Sequence, residues 1–354
     1  MKRVGFLYEK LYETANIKLA IKKSSKGKHK NRSVRKVLSN IDYYVEEIRK
    51  MLSTGHIEWG SDHYKQIKEV SSGKIRNITI PSYYPDQIIH WCLMLVIQPY
   101  IQKGMIDLCI GSIPGKGGSF GKTKVQKFLT KEPKNRYIYK ADIKHFFENI
   151  NIQTMENLLR KDFKDQKILS LLHQILIRGS RNTGVGLPIG YYTSQWLSNY
   201  YLISLDHYIL EKLKPRRYIR YIDDIVIFDS NKRKLHKIHD SINEFLKSYS
   251  LEVKGNWQVF KKNSRPLSFL GFTFKDGFIK LRKRIFLKLN QAICRFKKQK
   301  IKCVHTARSI MSRLGWLMHT SSGIIYYLNR IKPILSKKYL ASLISFEDKK
   351  MLNA

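Results

Sequence analysis

The sequence predicts an α+β fold, because strand-like and helix-like segments occupy separate stretches of the chain. Short β-prone runs bounded by turn residues occur at 137–143, 218–228 and 269–281. Apolar residues recur at helical spacing in 38–52 and 235–249. Two further helical stripes are predicted, one of Ser198, Leu202, Leu205 and Ile209 and one of Phe286, Leu289, Ile293 and Phe296. Strands that follow one another through tight turns pair antiparallel, so we expect an antiparallel sheet with helices packed against it.

The charge balance points to a polyanionic partner. The 354 residues include 67 Lys and Arg against 27 Asp and Glu, a formal net charge of +40. Such an excess repels itself in a compact chain unless a polyanion neutralises it, so nucleic acid is the expected partner. An anionic membrane and a solvated basic surface without a partner are the alternatives. The length suits one large domain or about two to three subdomains.

The cysteines and the apolar windows indicate a cytoplasmic protein with no membrane anchor. The cysteines lack the C-x-x-C spacing of a metal or redox site, so we expect reduced, mostly buried thiols. The most apolar window, residues 88–101, is too short to cross a bilayer and predicts a core helix. The N-terminus has no signal-like apolar region. The cysteines are Cys92, Cys109, Cys294 and Cys303.

Three basic segments precede the central strands. The first 60 or so residues predict helices around a flexible basic loop over 22–30. Residues 64–81 alternate around a Ser-Ser-Gly turn and predict a hairpin whose second strand turns Lys74 and Arg76 outward. The glycine-rich segment 111–123 is not a Walker loop, because a lysine stands where the motif needs a glycine. It remains a candidate for binding a nucleic-acid backbone or a triphosphate.

Three carboxylates carry the candidate chemistry. Asp142 ends a predicted strand, and Asp223 and Asp224 lie at the predicted tip of a tight hairpin between two β-prone runs. Acids in an apolar stretch are costly to desolvate unless cations or hydrogen bonds offset them. An Asp-rich turn and a strand-end cap are the ordinary interpretations. Carboxylates on two strands of a very basic chain also suit phosphoryl transfer by two Mg²⁺ ions about 3.5–4 Å apart.

With these residues in place, the sequence resembles the reverse transcriptases over about residues 60–280. The Gly-x-x-x-Ser-Gln box looks like that of diversity-generating retroelement enzymes, whereas group II intron and retron enzymes usually carry Gln-Gly-x-x-x-Ser-Pro. Four motifs follow the order of the family: Ala141-Asp142 with Phe146-Phe147, Gly190 to Gln195, Tyr221-Ile222-Asp223-Asp224 and Phe269-Leu270-Gly271-Phe272.

The resemblance implies a right-hand polymerase with fingers, an antiparallel palm with helices, and a helical thumb. It leaves no room after the thumb for an RNase H, endonuclease or maturase domain, so we expect partners to supply those activities. The implied divisions are a helical basic extension at 1–60, fingers at 61–136, a palm at 137–280 with a fingers-side segment at about 160–190, and a thumb at 281–354.

The resemblance also implies roles for individual residues. Asp142, Asp223 and, less directly, Asp224 would hold two Mg²⁺ ions, with Mn²⁺ as the alternative. Phe147, five residues after Asp142, stands where the family screens the sugar 2′ position and favours dNTPs. Lys254 and Lys261 stay open as proton donors to pyrophosphate. The implied nucleotide-binding residues are Lys74, Arg76, Phe147, Ile189, Gly190 and Gln195, and the implied primer or template residues are Tyr221, Phe269, Leu270 and Gly271.

One departure from the family suggests a specific activity. Ile189 stands where many reverse transcriptases have a glutamine beside the templating pair, and a stiff apolar side chain cannot make that polar contact. The resemblance therefore implies a bacterial or phage-encoded enzyme that copies RNA with errors at template adenines in a diversity-generating retroelement. It would use an RNA template, a DNA or RNA primer, dNTPs and a small basic accessory protein. An antiphage defence reverse transcriptase and a non-catalytic RNA-binding scaffold are the alternatives.

Overall fold

A computed structural model describes residues 3–68, 73 and 75–352 of the chain, and the side chains up to residue 346. In this described part, helices surround three antiparallel sheets of two, four and three strands. The predicted α+β class is therefore confirmed.

The N-terminal helices pack on a long apolar helix. A 3-10 helix (Tyr8–Tyr12), α1 (Thr14–Ser25), α2 (Arg32–Leu38) and α3 (Ile41–Thr54) come before the first strand. The predicted core helix is confirmed as α4 (Ile88–Gly104), which α1 contacts. The flexible loop predicted over 22–30 is wrong in its first part, because α1 continues to Ser25. The remaining connection is held where Lys28 Nζ donates to Gln87 Oε1 at 2.6 Å.

A hairpin follows the N-terminal helices, as predicted. Strands β1 (His63–Lys68) and β2 (Ile75–Ile80) pair antiparallel, with His63 opposite Ile80. Lys74 and most of the predicted turn lie outside the described residues. A π-helical turn (Tyr83–Gln87) then leads into α4.

The four-stranded sheet separates two hydrophobic cores in the described part of the chain. Its strand order is β4-β5-β3-β6, formed by β3 (Tyr137–Asp142), β4 (Arg217–Tyr221), β5 (Asp224–Asp229) and β6 (Gln258–Lys261). Along β5, Ile225 and Ile227 face the larger core, and Val226 and Phe228 face the smaller one. Both faces of β5 are covered, one of them in part by α11 (Lys232–Lys247), and the strand is therefore apolar on both faces.

Helices between the central strands fill the larger core. The helix predicted after residue 190 is present as α9 (Tyr192–Tyr201) and α10 (Ile203–His207), and its predicted stripe is fully buried at Ser198, Leu202, Leu205 and Ile209. A π-helical turn (Tyr208–Leu213) leads from it to β4. The helices of this region are α6 (Phe146–Asn149), α7 (Ile152–Asp162), α8 (Gln166–Gly179), α9 and α10, whereas α5 (Gly118–Thr130) precedes β3 and adds Val125 and Phe128 to the smaller core.

The C-terminal part combines a small sheet with helices around the smaller core. Strands β7 (Leu267–Phe269), β8 (Phe272–Lys275) and β9 (Phe278–Leu281) form the three-stranded sheet. The turn predicted over Lys275–Gly277 is present as Asp276–Gly277, because Lys275 is still paired with Phe278 at the end of β8. In the first helix, Ile285 is fully buried, whereas Phe286, predicted for the stripe, is half-buried against Tyr326. The helices are α12 (Lys283–Lys298), α13 (Val304–Leu317), α14 (Ser321–Tyr326), a π-helical turn (Tyr327–Ile331) and α15 (Lys337–Leu352).

The cysteine prediction holds in part. Cys92 and Cys109 are buried, but Cys294 and Cys303 are exposed on the C-terminal helices, so the expectation of mostly buried thiols is wrong for these two. All four are free thiols. No helix in the described part of the chain is both long and apolar enough to cross a membrane.

Candidate active site

The predicted acids meet across β3 and β5. Asp142 is the direct partner of Asp224 in the strand register, and Tyr221 of β4 lies opposite Asp224 on its other side. Residues directly opposite each other on antiparallel strands project from the same face, with Cβ atoms about 4.5–5.5 Å apart. Two distant segments therefore bring their carboxylates to one end of the four-stranded sheet.

The hairpin of β4 and β5, which we call the acid hairpin, turns one residue earlier than predicted. Its tip is Ile222–Asp223, and Asp224 is the first residue of β5. Ile222 has a φ of 57°, which is unfavourable for a β-branched residue. The Asp223 carbonyl accepts a hydrogen bond from the Ile143 N–H at 3.1 Å. The backbone at the tip is therefore fixed by the end of β3.

Asp224 is an incompletely paired acid. Its Oδ1 is shielded from solvent and has no hydrogen-bond partner among the described residues. The Lys140 Nζ lies 3.8 Å away, too far for a hydrogen bond. Burial raises the pKa of Asp224 to about 8; Lys140 opposes this shift and the charge on Asp142 adds to it. A cation bound there would supply the missing partner and favour the ionised carboxylate.

The donor set fits a magnesium ion that shares its ligands with a substrate. Carboxylate oxygens are the ligands that Mg²⁺ prefers, and Mg²⁺ usually keeps waters and substrate phosphates around one or two protein carboxylates. No group of three or more His, Cys, Asp and Glu side chains in the described part of the chain could hold an ion by itself. Asp142 and Asp224, with Asp223 beside them, therefore fit as a partial ligand set.

The small C-terminal sheet is tied to the acid-bearing strands. Lys140 Nζ, on β3, donates to the Ser268 carbonyl at 2.7 Å, and Arg282 Nε donates to Ser268 Oγ at 3.1 Å. Phe269 is fully buried and Leu270 is only 9% exposed, so their side chains belong to the smaller core. In this predicted primer-contact segment, Leu270 and Gly271 both have positive φ and form a backbone turn.

The Gly190 turn contacts the first hairpin. The Thr79 N–H donates to the Ile189 carbonyl at 2.8 Å. Gly190 has a φ of 132°, and a Cβ there would lie 2.1 Å from the Thr79 carbonyl oxygen, so only glycine fits. Ile189 is half-buried, Gly190 is exposed, and Gln195 is exposed on α9 among buried neighbours.

Three further predicted residues have different surroundings. Phe147 is half-buried and its carbonyl accepts a hydrogen bond from the Leu187 N–H at 2.7 Å, whereas the neighbouring Phe146 is a core residue. Arg76 is half-buried on β2. Lys74 lies outside the described residues, so its predicted contact stays a prediction.

Two ion clusters, one fully buried and one partly buried, were not predicted from the sequence. Arg220 pairs with Asp206, and both side chains are fully buried. Arg178 pairs with Asp86 at 2.7 Å and with Asp62 at 3.1 Å, and the Tyr191 hydroxyl donates to Asp62 at 2.7 Å. The available signal was a charge inside an apolar pattern, since Asp206 interrupts a buried helical stripe and Arg220 a β-prone run.

Comparison with known proteins identifies the family. Residues 65–274 match the family model described as "Reverse transcriptase (RNA-dependent DNA polymerase)". The Retron Ec73 reverse transcriptase of Escherichia coli is 29% identical over 151 residues, which are 39% of this chain and 46% of that protein. The Group II intron-encoded protein LtrA of Lactococcus lactis subsp. cremoris is 24% identical over 187 residues, which are 50% of this chain and 28% of that protein. The chain thus spans less than half the length of these relatives.

Among solved structures, the chain is similar to apo telomerase from Candida tropicalis, with a TM-score of 0.49, 13% identity and coverage of 83% of this chain and 64% of that one. It is also similar to telomerase from Candida albicans in complex with a telomeric RNA fragment, with a TM-score of 0.48, 11% identity and coverage of 78% and 58%. Because the family model matches more than half of its residues, the chain belongs to the reverse transcriptase family and has the right-hand polymerase fold expected from its motifs.

Proposed function

We propose that this chain is an RNA-directed DNA polymerase that extends a DNA or RNA primer with dNTPs along an RNA template. The observation that carries the proposal is the register of β3 and β5, in which Asp142 stands opposite Asp224 with Asp223 at the adjacent tip. Membership of the reverse transcriptase family and the net charge of +40, which suits a polyphosphate partner, support it.

The acids and their neighbours have complementary roles in this proposal. Asp142, Asp223 and Asp224 would hold two Mg²⁺ ions, with Mn²⁺ as the alternative, and ions held there would supply a lower pKa for the primer hydroxyl and charge stabilisation for the leaving pyrophosphate. Lys140 and Arg282 limit the negative charge around Asp224.

The remaining predicted residues form the substrate pocket in the same proposal. The turn of Ile189 and Gly190, Phe147 and Gln195 line the nucleotide site, and Phe147 screens the sugar 2′ position. Lys74 and Arg76 approach the triphosphate from the first hairpin. Tyr221 flanks the primer end, and the backbone turn of Leu270 and Gly271 next to Phe269 grips the primer.

We propose the same divisions as the motifs imply. The extension is residues 1–60, the fingers are 61–136 with about 160–190, the palm is the rest of 137–280, and the thumb is 281–354. The four-stranded sheet carrying the acids lies in the proposed palm, and α12 to α15 make up the proposed thumb.

The test of the activity is primer extension on an RNA template. Asp223→Ala should abolish dNTP incorporation and leave RNA affinity unchanged, because the acid serves the metal and not the RNA backbone. Asp240→Ala, which removes an exposed acid from α11, is the matched control and should keep full activity. RNA affinity should fall steeply with salt in all three proteins. Synthesis retained by Asp223→Ala would refute the site, and an RNA-binding scaffold would remain if the unaltered chain made no DNA.

We further propose that the enzyme misincorporates at template adenines, as in a diversity-generating retroelement with a small basic accessory protein. Support comes from Ile189, a half-buried apolar residue in the turn that contacts β2. Deep sequencing of products copied from RNA should show errors concentrated at adenines, and Ile189→Gln should reduce them. Uniformly low error at adenines would overturn this subtype and leave the antiphage defence enzyme as the alternative.

A further inference from the structure

A fully buried arginine lies directly beneath the tip of the acid hairpin. Arg220 is the residue before Tyr221 on β4, and its guanidinium and the Asp206 carboxylate are both inaccessible to solvent. The pair is bidentate, with Nη2 to Asp206 Oδ2 at 2.5 Å and Nε to Asp206 Oδ1 at 2.7 Å. This geometry is the strongest that an arginine and a carboxylate form, and it fixes the plane of the guanidinium.

The other donors of Arg220 are also used. Nη1 donates to the Asn199 Oδ1 at 3.0 Å and to the Ile222 carbonyl at 2.8 Å, and Nη2 reaches the Cys109 Sγ at 3.3 Å. An arginine has five N–H groups, so each has an acceptor here. The bond to Ile222 is the informative one, because Ile222 is the strained residue at the tip of the acid hairpin.

The acceptors around Arg220 are themselves held in place. The Tyr218 hydroxyl donates to Asp206 Oδ1 at 2.6 Å, and Asn199 Nδ2 donates to the Gly111 carbonyl at 2.7 Å. A Cβ at Gly111 would lie 2.8 Å from the Ile222 backbone nitrogen, so the glycine allows this segment to pack against the tip. The tip is therefore restrained by Arg220 on one side and by Gly111 on another.

We propose that Arg220 is a positioning residue, which sets the orientation of Asp223 and Asp224 through its hydrogen bond to the Ile222 carbonyl. The proposal deepens the polymerase function given above and rests on it. A buried ion pair contributes little to stability compared with apolar residues of the same volume, so stability alone does not account for this cluster. The hydrogen bond from Arg220 to Ile222, the strained residue that leads from β4 to the two acids, does account for it.

The experiment replaces the arginine while keeping the rest of the cluster. Arg220→Lys keeps a cation for Asp206 but cannot make the planar fork and also reach Ile222. We expect a folded protein whose kcat for single-nucleotide incorporation falls at least tenfold, with a small change in KM for the dNTP. The Mg²⁺ concentration for half-maximal rate should rise severalfold. A purely structural role would lower stability and leave this concentration unchanged.

A control and a binding measurement complete the test. Tyr218→Phe removes one hydrogen bond to Asp206 and keeps the bond to Ile222, so it should lower stability and leave the Mg²⁺ requirement unchanged. Mn²⁺ binding is measured by electron paramagnetic resonance on a complex with RNA template, dideoxy-terminated primer and dNTP, where no turnover occurs. We expect severalfold weaker Mn²⁺ binding by Arg220→Lys than by the unaltered chain or Tyr218→Phe.

The outcomes separate the two proposals. If Arg220→Lys is folded and keeps the kcat, the Mg²⁺ requirement and the Mn²⁺ affinity of the unaltered chain, the positioning role is refuted. If Arg220→Lys does not fold, the triple variant Arg220→Met, Asp206→Leu and Tyr218→Phe removes the buried charges together. A triple variant with the kcat and the Mg²⁺ requirement of the unaltered chain refutes the positioning role. If the unaltered chain makes no DNA, the polymerase function fails, and the Mn²⁺ comparison still decides whether Arg220 orients the acids.

Discussion

Asp206 and Asp224 are two acids close to the acid hairpin, and their surroundings are opposite: the Asp206 side chain is fully buried, whereas the Asp224 side chain is 21% exposed with only its Oδ1 shielded from solvent. Asp206 is paired in a bidentate manner with Arg220 and also accepts a hydrogen bond from Tyr218. Asp224 has an Oδ1 without a hydrogen-bond partner among the described residues, and burial raises its pKa to about 8. A buried carboxylate is costly unless it is paired, so Asp206 is satisfied by the fold and Asp224 is not. The two acids therefore differ in how completely they are paired, and the incompletely paired one is the acid that we propose to bind a metal ion.

The largest expected effect is the loss of nucleotide incorporation when Asp224 is replaced. Asp224→Asn should lower single-nucleotide incorporation by about 10³-fold or more, because metal-based charge stabilisation is worth several kcal/mol. The same change should leave the free energy of unfolding in EDTA unchanged or raise it, since it removes a carboxylate without a full set of partners. Rapid-quench incorporation and urea unfolding measure the two quantities. A clear loss of stability would contradict our interpretation of Asp224.

The second effect is the reverse pattern at Asp206. Asp206→Asn leaves the Arg220 charge buried without its counter-ion and should lower the free energy of unfolding by about 3–5 kcal/mol. Urea unfolding of both Asp→Asn variants in the same buffer makes the comparison direct. If Asp206→Asn proved as stable as Asp224→Asn, the distinction between a fully paired and an incompletely paired acid would be lost.

The smallest effect is the pH dependence of the same comparison. The folded-state pKa of Asp224 is about 8, above its ordinary value of 3.8. The contribution of Asp224 to the free energy of unfolding is therefore fully present below pH 3.8 and is lost as the pH rises through 8. Asn cannot titrate, so the stability of Asp224→Asn relative to the unaltered chain should increase between about pH 6 and pH 9 in EDTA. Urea unfolding at the two pH values checks this. Parallel curves for the two proteins would mean that Asp224 ionises normally.

Local patterns were sufficient for the elements that carry the acids. The β-prone run at 218–228 and the strand ending at Asp142 are both present as strands. Each can be predicted from its own apolar residues, without information about the rest of the chain. The Asp276–Gly277 turn was predictable for the same reason, since both residues adopt positive φ readily. The one-residue shift of the acid hairpin was not, because the register is set by pairing of Asp224 with Asp142 and Tyr221.

Long-range partners were beyond the reach of sequence periodicity. Asp206 comes from a helix and Arg220 from a strand, and neither pattern indicates which charge meets which. Phe269 is buried, and Ile285 lies in the core where Phe286 was predicted. Both outcomes depend on how the small sheet packs against α12 and α13, which helical spacing alone does not specify. The lysines at 22–30 predict a flexible segment because lysines usually mark exposed loops, but α1 extends into it.

The most direct test of the central claim is whether the acids of β3 and β5 share a pair of divalent ions. Electron paramagnetic resonance of Mn²⁺ in the complex with RNA template, dideoxy-terminated primer and dNTP should show two bound, magnetically coupled ions. Asp142→Asn and Asp224→Asn should each abolish the coupling, and Asp240→Ala should preserve it. A single uncoupled ion, or a coupled pair that persists after Asp142→Asn, would contradict the account.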